Sequence, residues 1–165
     1  MLVFLVGGPE AVFERCSPLL EKLGRAVFHF GPLGTGNTAK LVNSLLAFTS
    51  TWVSLEGLAL AAESGLEPRK LVEAVRTGGA SNFFMDRMVE GLDHRDRPVH
   101  FALGLAAKDA GLITDAMAEQ GVPAPVAEAI AGVFRAAAES GLADRDWSDV
   151  VEHLESATGR PLTLL

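Results

Sequence analysis

Residues Gly34–Ser64 read GTGNTAKLVNSLLAFTSTWVSLEGLALAAES, and this stretch decides the fold of the 165-residue chain. It opens with two glycines and an Asn-Thr pair, and its apolar pattern continues to a Ser-Gly stop at residues 64 and 65. We predict one helix of about 30 residues, roughly 45 Å long at about 1.5 Å per residue. Because apolar residues occupy nearly every side of this helix, we expect it to be buried on nearly every side.

The composition is that of a folded globular chain with an acidic surface. Hydrophobic residues make up 48% of the sequence and charged residues 21%, which excludes a disordered chain. The net charge of −7, without a block of basic residues, argues against nucleic acid as a partner. The single cysteine, Cys16, excludes an internal disulfide and a cysteine-based zinc site, and the histidines have no ligand spacing. We therefore expect no metal site, and a reducing cytoplasm suits the protein.

The apolar segment 41–62 has about the length of a membrane span, which needs ~20 residues. It contains polar residues throughout, and no belt of basic residues flanks it. We interpret it as the buried helix of a soluble protein, and we expect no membrane partner. The opening residues, MLVFLVGG, are too short and lack the positive charge of a signal peptide.

The chain before the glycine-rich stretch predicts a βαβ unit. Leu2–Val6 is a continuous apolar run, typical of a strand buried on both faces, and Ala26–Phe30 is a second short strand. Between them, Glu10–Leu23 has the apolar stripe of an amphipathic helix, with Gly24 as its expected end. Two parallel strands do not form a stable sheet, so we expect further strands from a longer N-terminal part, or pairing of the edge with another chain.

The chain after the long helix predicts only further helices, with Ser81 and Asp146 as N-caps of two of them. These predicted helices cover residues 68–76, 82–91, 101–120, 123–140 and 147–157. The charged loop DHRDRP at residues 93–98, with Arg95 and Arg97, is interpreted as a solvated turn. The predicted fold is therefore mainly α, with a six- or seven-helix domain built around the long helix and a small βαβ unit in front of it.

The start of the long helix, Gly34–Ala39, matches G-x-G-x-x-A, the dinucleotide-binding fingerprint, because it follows a strand and opens a helix. A Rossmann turn, however, is followed by a helix of ordinary length and a returning strand, and neither is present here. Two interpretations of the glycines stay open. They allow a carboxylate or phosphate to approach the helix N-terminus, or they form a plain turn.

Lys40, Asn43 and Ser44 stand at positions i, i+3 and i+4, so they share one face of the helix. A lysine amine on an otherwise apolar helix must reach water, an acidic partner or a substrate, and lysines in such places can serve as acid or base. The residues alone favour the simpler interpretation, in which Lys40 extends along the surface to reach water.

These segments resemble a known family. Residues 31–43, GPLGTGNTAKLVN, resemble the G-x-x-G-x-G-x-x-x-K-x-x-N motif of the β-hydroxyacid dehydrogenases, the family of 3-hydroxyisobutyrate dehydrogenase and of tartronate and succinic semialdehyde reductases. Residues 6–24 resemble the last βαβ segment of its nucleotide-binding domain, and residues 101–109, FALGLAAKD, resemble its F-x-x-x-x-x-x-K-D signature. The resemblance implies a 6-phosphogluconate-dehydrogenase-like helical C-terminal domain at residues 32–165 for substrate and dimerisation, and a nucleotide-domain remnant at residues 1–31.

The resemblance implies an NAD- or NADP-dependent oxidoreductase that acts on a small β-hydroxy acid or semialdehyde, and so on a small carboxylate. Lys40 would be the catalytic acid or base, and Asn43 would hold the substrate. Ser44 stands where many relatives carry a second amide, which leaves the choice of substrate open. The glycine turn with Gly34 and Gly36 would form the floor of the substrate site.

The second motif implies further roles. Phe101 would line the substrate pocket, and Lys108 and Asp109 would lie where cofactor and substrate meet. The residues alone favour simpler interpretations: Phe101 as a core residue, and Lys108–Asp109 as a charged pair within a helix that forms a solvated salt bridge.

The true G-x-G-x-x-G fingerprint and the serine-glycine-glycine substrate loop of this family belong to an N-terminal domain that the sequence does not contain. We therefore expect this chain alone to be inactive or to bind cofactor weakly. Helical domains of this family pair with each other, which implies a homodimer, with or without swapped elements. The alternative is a non-catalytic helical dimerisation module.

Overall fold

The structure is a computed structural model that describes residues 2–163. The chain is 69% helical, with seven α-helices and a two-stranded parallel sheet in the described part. The prediction of a mainly α fold around one long helix, with a small N-terminal βαβ unit, is confirmed. The chain divides into two compact units, Met1–Ser44 (unit 1) and Leu45–Leu165 (unit 2). A compact unit need not coincide with a domain, so the domain bounds 1–31 and 32–165 stay a prediction.

Unit 1 contains the predicted βαβ unit. Strand β1 (Leu2–Val6) pairs in parallel with strand β2 (Gly24–His29), and helix α1 (Glu10–Leu23) connects them. Gly24 ends α1 as predicted, but it does so in an extended conformation and already begins β2.

The prediction that β1 is buried on both faces is wrong. Leu2 is 63% exposed and Val3 is 40% exposed, and α1 contains no fully buried residue. The reason is physical, because one helix covers only one face of a two-stranded sheet.

The long helix α2 extends over Thr35–Glu63, 29 residues, as predicted. It follows Gly34, and it ends before Gly65; both glycines have positive φ, at +96° and +71°. The prediction that α2 is buried on nearly every side is wrong. Its core face includes Phe48, Leu55 and Leu58, but a second apolar face is open to solvent.

The open face of α2 is a stripe formed by Leu46, Val53 and Leu60, which are 62%, 50% and 69% exposed. Residues seven apart lie on one line along a helix, so these three side chains form a continuous apolar seam. By length and composition α2 could also cross a membrane, because an 18-residue segment of it has a mean hydropathy of 1.4. However, 44% of that segment is buried within the protein. Its buried face belongs to the core of unit 2.

The rest of unit 2 consists of five helices after α2. They are α3 (Pro68–Thr77), α4 (Phe83–Asp93), α5 (Leu103–Glu119), α6 (Pro125–Ala137) and α7 (Val150–Thr158). The core joins α2 to α6, where the rings of Phe48 and Phe134 have centroids 5.0 Å apart. The N-cap of α4 is Asn82 rather than Ser81, because the Asn82 side chain accepts the Met85 N–H at 2.8 Å.

Two predicted helices have different limits in the structure. The helix predicted from residue 123 ends at Ala137, and a π-helical turn, Ala138–Leu142, with Gly141 at φ +99°, follows it. The helix predicted from residue 147 begins with a 3₁₀ turn, Trp147–Asp149, which Asp146 caps as predicted.

Candidate functional site

The predicted site residues fall into two groups, one in each unit. Gly34, Gly36, Lys40, Asn43 and Ser44 belong to unit 1, where they lie just before α2 or on its first turns. The remaining predicted residues, Phe101, Lys108 and Asp109, belong to unit 2.

In unit 1, the start of α2 packs directly on the carboxyl end of β1. A Cβ atom on Gly36 would lie 2.5 Å from the carbonyl oxygen of Leu5 and 2.8 Å from the amide nitrogen of Gly7. A Cβ atom on Gly7 would in turn lie 2.7 Å from the nitrogen of Gly36. The two glycines therefore allow the backbones of the strand end and the helix start to touch.

This packing decides how the G-x-G-x-x-A match is interpreted. Gly36 is buried, and the backbone of residues 5–7 occupies the space through which a pyrophosphate would have to approach it. Gly34 is exposed, and its φ of +96° supplies the turn before the helix. Packing and turn geometry account for both glycines without a ligand, and their contact with a substrate stays a prediction.

Lys40 and Asn43 are both exposed and lie three residues apart, on the second and third turns of α2. A ligand can therefore reach the lysine amine and the amide side chain at the same helix face. Ser44 differs, because it is only 4% exposed within the described chain. Its role as a substrate contact stays a prediction.

In unit 2, Phe101 does not lie in a helix as predicted but in a bend of the chain just before α5. The N–H of Trp147 donates to the carbonyl oxygen of Phe101 at 2.8 Å, and Ala102 forms an isolated antiparallel bridge with Asp146. Phe101 itself is half-buried. The pairing explains why α5 begins only at Leu103.

Lys108 and Asp109 lie on the second turn of α5. The Lys108 Nζ atom is 2.9 Å from Asp109 Oδ1, and the two side chains are 60% and 20% exposed. An exposed ion pair of this kind contributes little to stability, so the ammonium group is available to a ligand.

The sequence did not single out Asp146 as more than a helix cap, yet its carboxylate organises the start of α5. It is 4% exposed, and its Oδ2 atom accepts the N–H groups of His100 at 2.9 Å and Phe101 at 3.4 Å. Its Oδ1 atom accepts the N–H and the hydroxyl of Ser148. Burial alone would raise the pKa of Asp146, but the hydrogen bonds from Ser148, His100 and Phe101 outweigh it and hold that pKa below its ordinary value.

The prediction of a solvated turn at residues 93–98 is wrong for two arginines. Arg97 is 18% exposed in its side chain and donates to Asp149 at 2.6 Å and to the Ser148 hydroxyl at 2.7 Å. Arg95 forms a bidentate pair with Glu155 at 2.6 and 2.9 Å. Their acidic partners lie on or just before α7, more than 50 residues further along the chain, and no local pattern in the sequence signals these pairs.

Unit 2 also contains an open cavity of about 400 Å³. Aromatic and basic residues line it, among them Phe83, Phe84, Arg87, His94, His100 and Trp147. Phe101, Lys108 and Asp109 do not belong to its lining. The cavity therefore does not coincide with the residues that the sequence predicted for the site.

Comparisons with known proteins agree on one family. Residues 34–154, well over half of the chain, match the family model described as the NAD-binding domain of NADP-dependent 3-hydroxyisobutyrate dehydrogenase. The chain is 32% identical to 2-(hydroxymethyl)glutarate dehydrogenase of Eubacterium barkeri, over 96% of this chain and 53% of that protein. It is 31% identical to the NAD-dependent L-serine dehydrogenase of Pseudomonas aeruginosa, over 96% of this chain and 56% of that protein.

A solved structure shows the same fold. The 3-hydroxyisobutyrate dehydrogenase of Mycobacterium tuberculosis, determined with L-serine, superimposes with a TM-score of 0.85 at 27% identity, over 93% of this chain and 55% of that chain. The chain thus spans about half the length of the curated relatives it matches.

The solved structure that shares this fold and the two relatives that match in sequence all belong, by name, to the class of dehydrogenases. Within that class, the chain belongs to the 3-hydroxyisobutyrate dehydrogenase family, as the match over residues 34–154 shows. The sequence resemblance to the β-hydroxyacid dehydrogenases is therefore confirmed. The matched model is an NAD-binding domain, which supports NAD or NADP as the cofactor.

Proposed function

We propose that this chain is the catalytic-lysine domain of an NAD(P)-dependent oxidoreductase that acts on a small β-hydroxy acid or semialdehyde. The observation that carries the proposal is the exposed pair Lys40 and Asn43 on α2, inside the segment that matches the family model. The two curated relatives are by name dehydrogenases of 2-(hydroxymethyl)glutarate and of L-serine. Both of these molecules carry a primary hydroxyl on the carbon β to a carboxylate.

Lys40 supplies the proton chemistry in this proposal. In the oxidation direction its neutral amine accepts the proton of the substrate hydroxyl, and in the reduction direction its ammonium donates that proton to the carbonyl oxygen. Asn43 donates an amide N–H to the substrate and orients it beside the amine. The proposal gives Ser44, Gly34 and Gly36 supporting roles in the substrate site, and Phe101 a place in the pocket wall.

Lys108 and Asp109 fit a role in cofactor binding, and the glycine turn at Gly36 does not. The exposed ammonium group of Lys108, oriented by Asp109, suits a phosphate or a carboxamide oxygen, and we assign these two residues to the cofactor. The turn at Gly36 does not fit a pyrophosphate, because backbone fills the approach to it. NAD or NADP, when bound, supplies or accepts the hydride. Tight binding of the cofactor therefore needs a dinucleotide-binding turn other than residues 34–39. We expect this chain alone to bind NADH and NADPH weakly or not at all.

Replacement of Lys40 tests the proposed function. In the natural polypeptide that carries these residues, Lys40→Ala should lower kcat about 10²–10⁴-fold, the usual contribution of a general acid or base. Cofactor affinity, measured by calorimetric titration with NADH and NADPH, should stay nearly unchanged. Lys70→Ala is the matched control, because Lys70 is an exposed lysine on α3. Turnover retained in Lys40→Ala would remove Lys40 from the mechanism.

The seam of Leu46, Val53 and Leu60 supports a second element of the proposal, a homodimer. These side chains present an uncovered apolar line along α2, the pattern by which helices associate. A partner copy would cover the seam, and we leave open whether the dimer also exchanges elements. The same seam favours the alternative function, a non-catalytic helical dimerisation module. Calorimetry and the Lys40→Ala turnover assay separate the two functions in the natural polypeptide, where a dimerisation module predicts neither cofactor binding nor turnover. Weak cofactor binding by this chain alone agrees with either function.

A charge in the seam tests the dimer. Leu60→Glu should convert a dimer to a monomer in light scattering at micromolar concentration, because a buried unpaired carboxylate is strongly unfavourable. Leu66→Glu is the control, since Leu66 is 55% exposed but follows α2 and lies outside the seam. A wild-type mass equal to one chain would contradict the proposal.

We also propose a cytoplasmic location. The exposed side chain of Cys16 carries a free thiol, and a reducing compartment keeps such a thiol reduced.

A further inference from the structure

His29, at the end of β2, has a side chain with three defined contacts in unit 1, and the longest of them joins its Nδ1 atom to Oε2 of Glu10 at 3.6 Å. Its Nε2 atom lies 2.8 Å from the carbonyl oxygen of Gly8, and its ring stacks on Phe13 with centroids 4.5 Å apart and planes within 6°. Its side chain is 13% exposed. Because a carbonyl oxygen only accepts hydrogen bonds, Nε2 carries the proton and donates it to Gly8.

The hydrogen bond from His29 acts on a loop that lacks side chains to hold it. The Gly7-Gly8 loop follows β1, and Gly8 is fixed from two directions. Its N–H donates to the carbonyl oxygen of Gly31 at 2.8 Å, and its carbonyl oxygen accepts from His29 at 2.8 Å. Each bond restrains one of the peptide groups that flank Gly8, so together they define the path of the loop.

The loop in turn is the surface on which α2 begins. Gly7 and Gly36 are in backbone contact, and Gly36 lies one helical turn before Lys40. A shift of the loop should therefore be transmitted to Gly36, because neither of the two glycines carries a side chain that could absorb it. The amine of Lys40 would move with the helix turn that carries it.

We propose that His29 is a positioning residue, which holds the Gly7-Gly8 loop through its Nε2–H group and so fixes the helix turn that presents Lys40. This inference rests on the proposed function of Lys40 for its catalytic consequence. Its structural part stands on the contacts of His29, Gly8, Gly7 and Gly36 alone. Misplacement of a reacting group by about 1 Å can lower a rate about 10²-fold, so a loop far from the chemistry can control turnover.

Two substitutions separate the hydrogen bond from the packing of the ring. His29→Phe keeps an aromatic ring that stacks on Phe13 but removes the donor. His29→Gln keeps an N–H donor at the reach of Nε2 but loses the ring. If the donor matters, the glutamine variant should behave like the wild type, and the phenylalanine variant should not.

The first measurement is amide hydrogen exchange by NMR in the 165-residue chain. In His29→Phe, exchange at residues 38–40, the first amides of α2 with acceptors one turn back, should accelerate about fivefold or more, the equilibrium effect of one lost hydrogen bond. His29→Gln should restore slow exchange, and amides of α6 in unit 2 should be unchanged in both variants. Unchanged exchange at residues 38–40 in His29→Phe, or equal acceleration in both variants, would overturn the proposal.

A measurement on the wild type needs no variant and covers the case in which His29→Phe does not fold. The ¹⁵N chemical shifts of the His29 ring should show that Nε2 carries a proton. A ring with its proton on Nδ1 alone would overturn the proposal, because Nε2 could not then donate to Gly8.

The catalytic consequence is read in the natural polypeptide that carries these residues. His29→Phe should lower kcat about tenfold or more and leave KM nearly unchanged, and His29→Gln should recover most of the loss. Accelerated exchange with unchanged kcat would contradict the positioning role. If Lys40→Ala retains turnover while exchange still responds to His29, the proposed function has failed and the structural part of this inference has not.

Discussion

The N-termini of α2 and α5 are held in place by different interactions. Each helix carries predicted site residues near its first turns, Lys40 on α2 and Lys108 on α5, and each must be fixed at its N-terminus. The start of α5 is held by a buried charge, the carboxylate of Asp146, which accepts the N–H groups of His100 and Phe101. The start of α2 is held by shape, because the backbone of Gly36 packs on residues 5–7.

The two helix starts should respond to different perturbations. A carboxylate that accepts several hydrogen bonds works only while it is ionised, so the start of α5 depends on pH. Backbone packing has no group that titrates, but it leaves no room for a single methyl group. Acid should therefore disturb α5 first, and small substitutions should disturb α2 first.

The largest effect is expected at Gly36. Gly36→Ala places a methyl group 2.5–2.9 Å from three backbone atoms of residues 5–7. Backbone cannot rotate away as a side chain can, so we expect a loss of about 3 kcal/mol in the free energy of unfolding of unit 1. Gly57→Ala is the control on the same helix, because its methyl group meets nothing within 4 Å. It should gain up to about 1 kcal/mol through helix propensity.

The two units can be followed separately. Both tryptophans of the chain, Trp52 and Trp147, belong to unit 2, so fluorescence in a urea titration reports on unit 2. Amide exchange in β1 and β2 reports on unit 1. If Gly36→Ala is as stable as Gly57→Ala, the end of β1 can shift to accommodate a methyl group at little cost. Close backbone packing at Gly36 would then not be what fixes the start of α2.

The next effect is expected at Asp146. Asp146→Asn removes the negative charge from four hydrogen bonds and should destabilise unit 2 by about 2 kcal/mol at neutral pH, as measured by tryptophan fluorescence in urea. Asp144→Asn changes an exposed aspartate two residues away and should stay within about 0.5 kcal/mol of the wild type.

The pH dependence of the Asp146 effect has a definite sign. The pKa of Asp146 is lowered in the folded chain, relative to about 3.9 for an unfolded aspartate. The unfolded chain therefore binds this proton first on acidification, and the stabilising contribution is complete above the unfolded pKa. It is lost as the pH falls through the lower, folded pKa. The gap between wild type and Asp146→Asn should narrow below pH ~4, and a gap that widens there would contradict the assignment.

The sequence predicted those parts of the molecule that depend on local pattern. The 29-residue α2 and the βαβ unit follow from the periodicity of adjacent residues. The family is recognisable because the motif that contains Lys40 and Asn43 is short and continuous, whereas the roles of these two residues stay a prediction. Pairs such as Arg97 with Asp149 could not be predicted, because each charge alone looks like a surface residue. Only the fold brings the two side chains together at 2.6 Å.

Burial was the property that the sequence overstated. The apolar composition of α2 predicted cover on nearly every side, but composition does not specify what supplies the cover. Leu46, Val53 and Leu60 remain open in the chain, and so does Leu2 in β1. At the glycine turn the sequence understated burial. Gly36 matches a ligand-binding fingerprint, but it is packed against the backbone of residues 5–7.

The smallest effect is expected at Gly34, and it separates turn conformation from packing at the start of α2. A methyl group on Gly34 would meet nothing within 4 Å, so Gly34→Ala adds no clash and only the strain of an alanine at φ +96°. That strain is about 1–2 kcal/mol. Gly8→Ala is the control in the facing loop, since Gly8 also has open space and does not have a positive φ; it should be nearly neutral. If Gly34→Ala destabilises unit 1 as strongly as Gly36→Ala in the same exchange measurement, the turn rather than the packed backbone fixes α2. The contrast with the charge-held start of α5 would then rest on backbone conformation instead of shape.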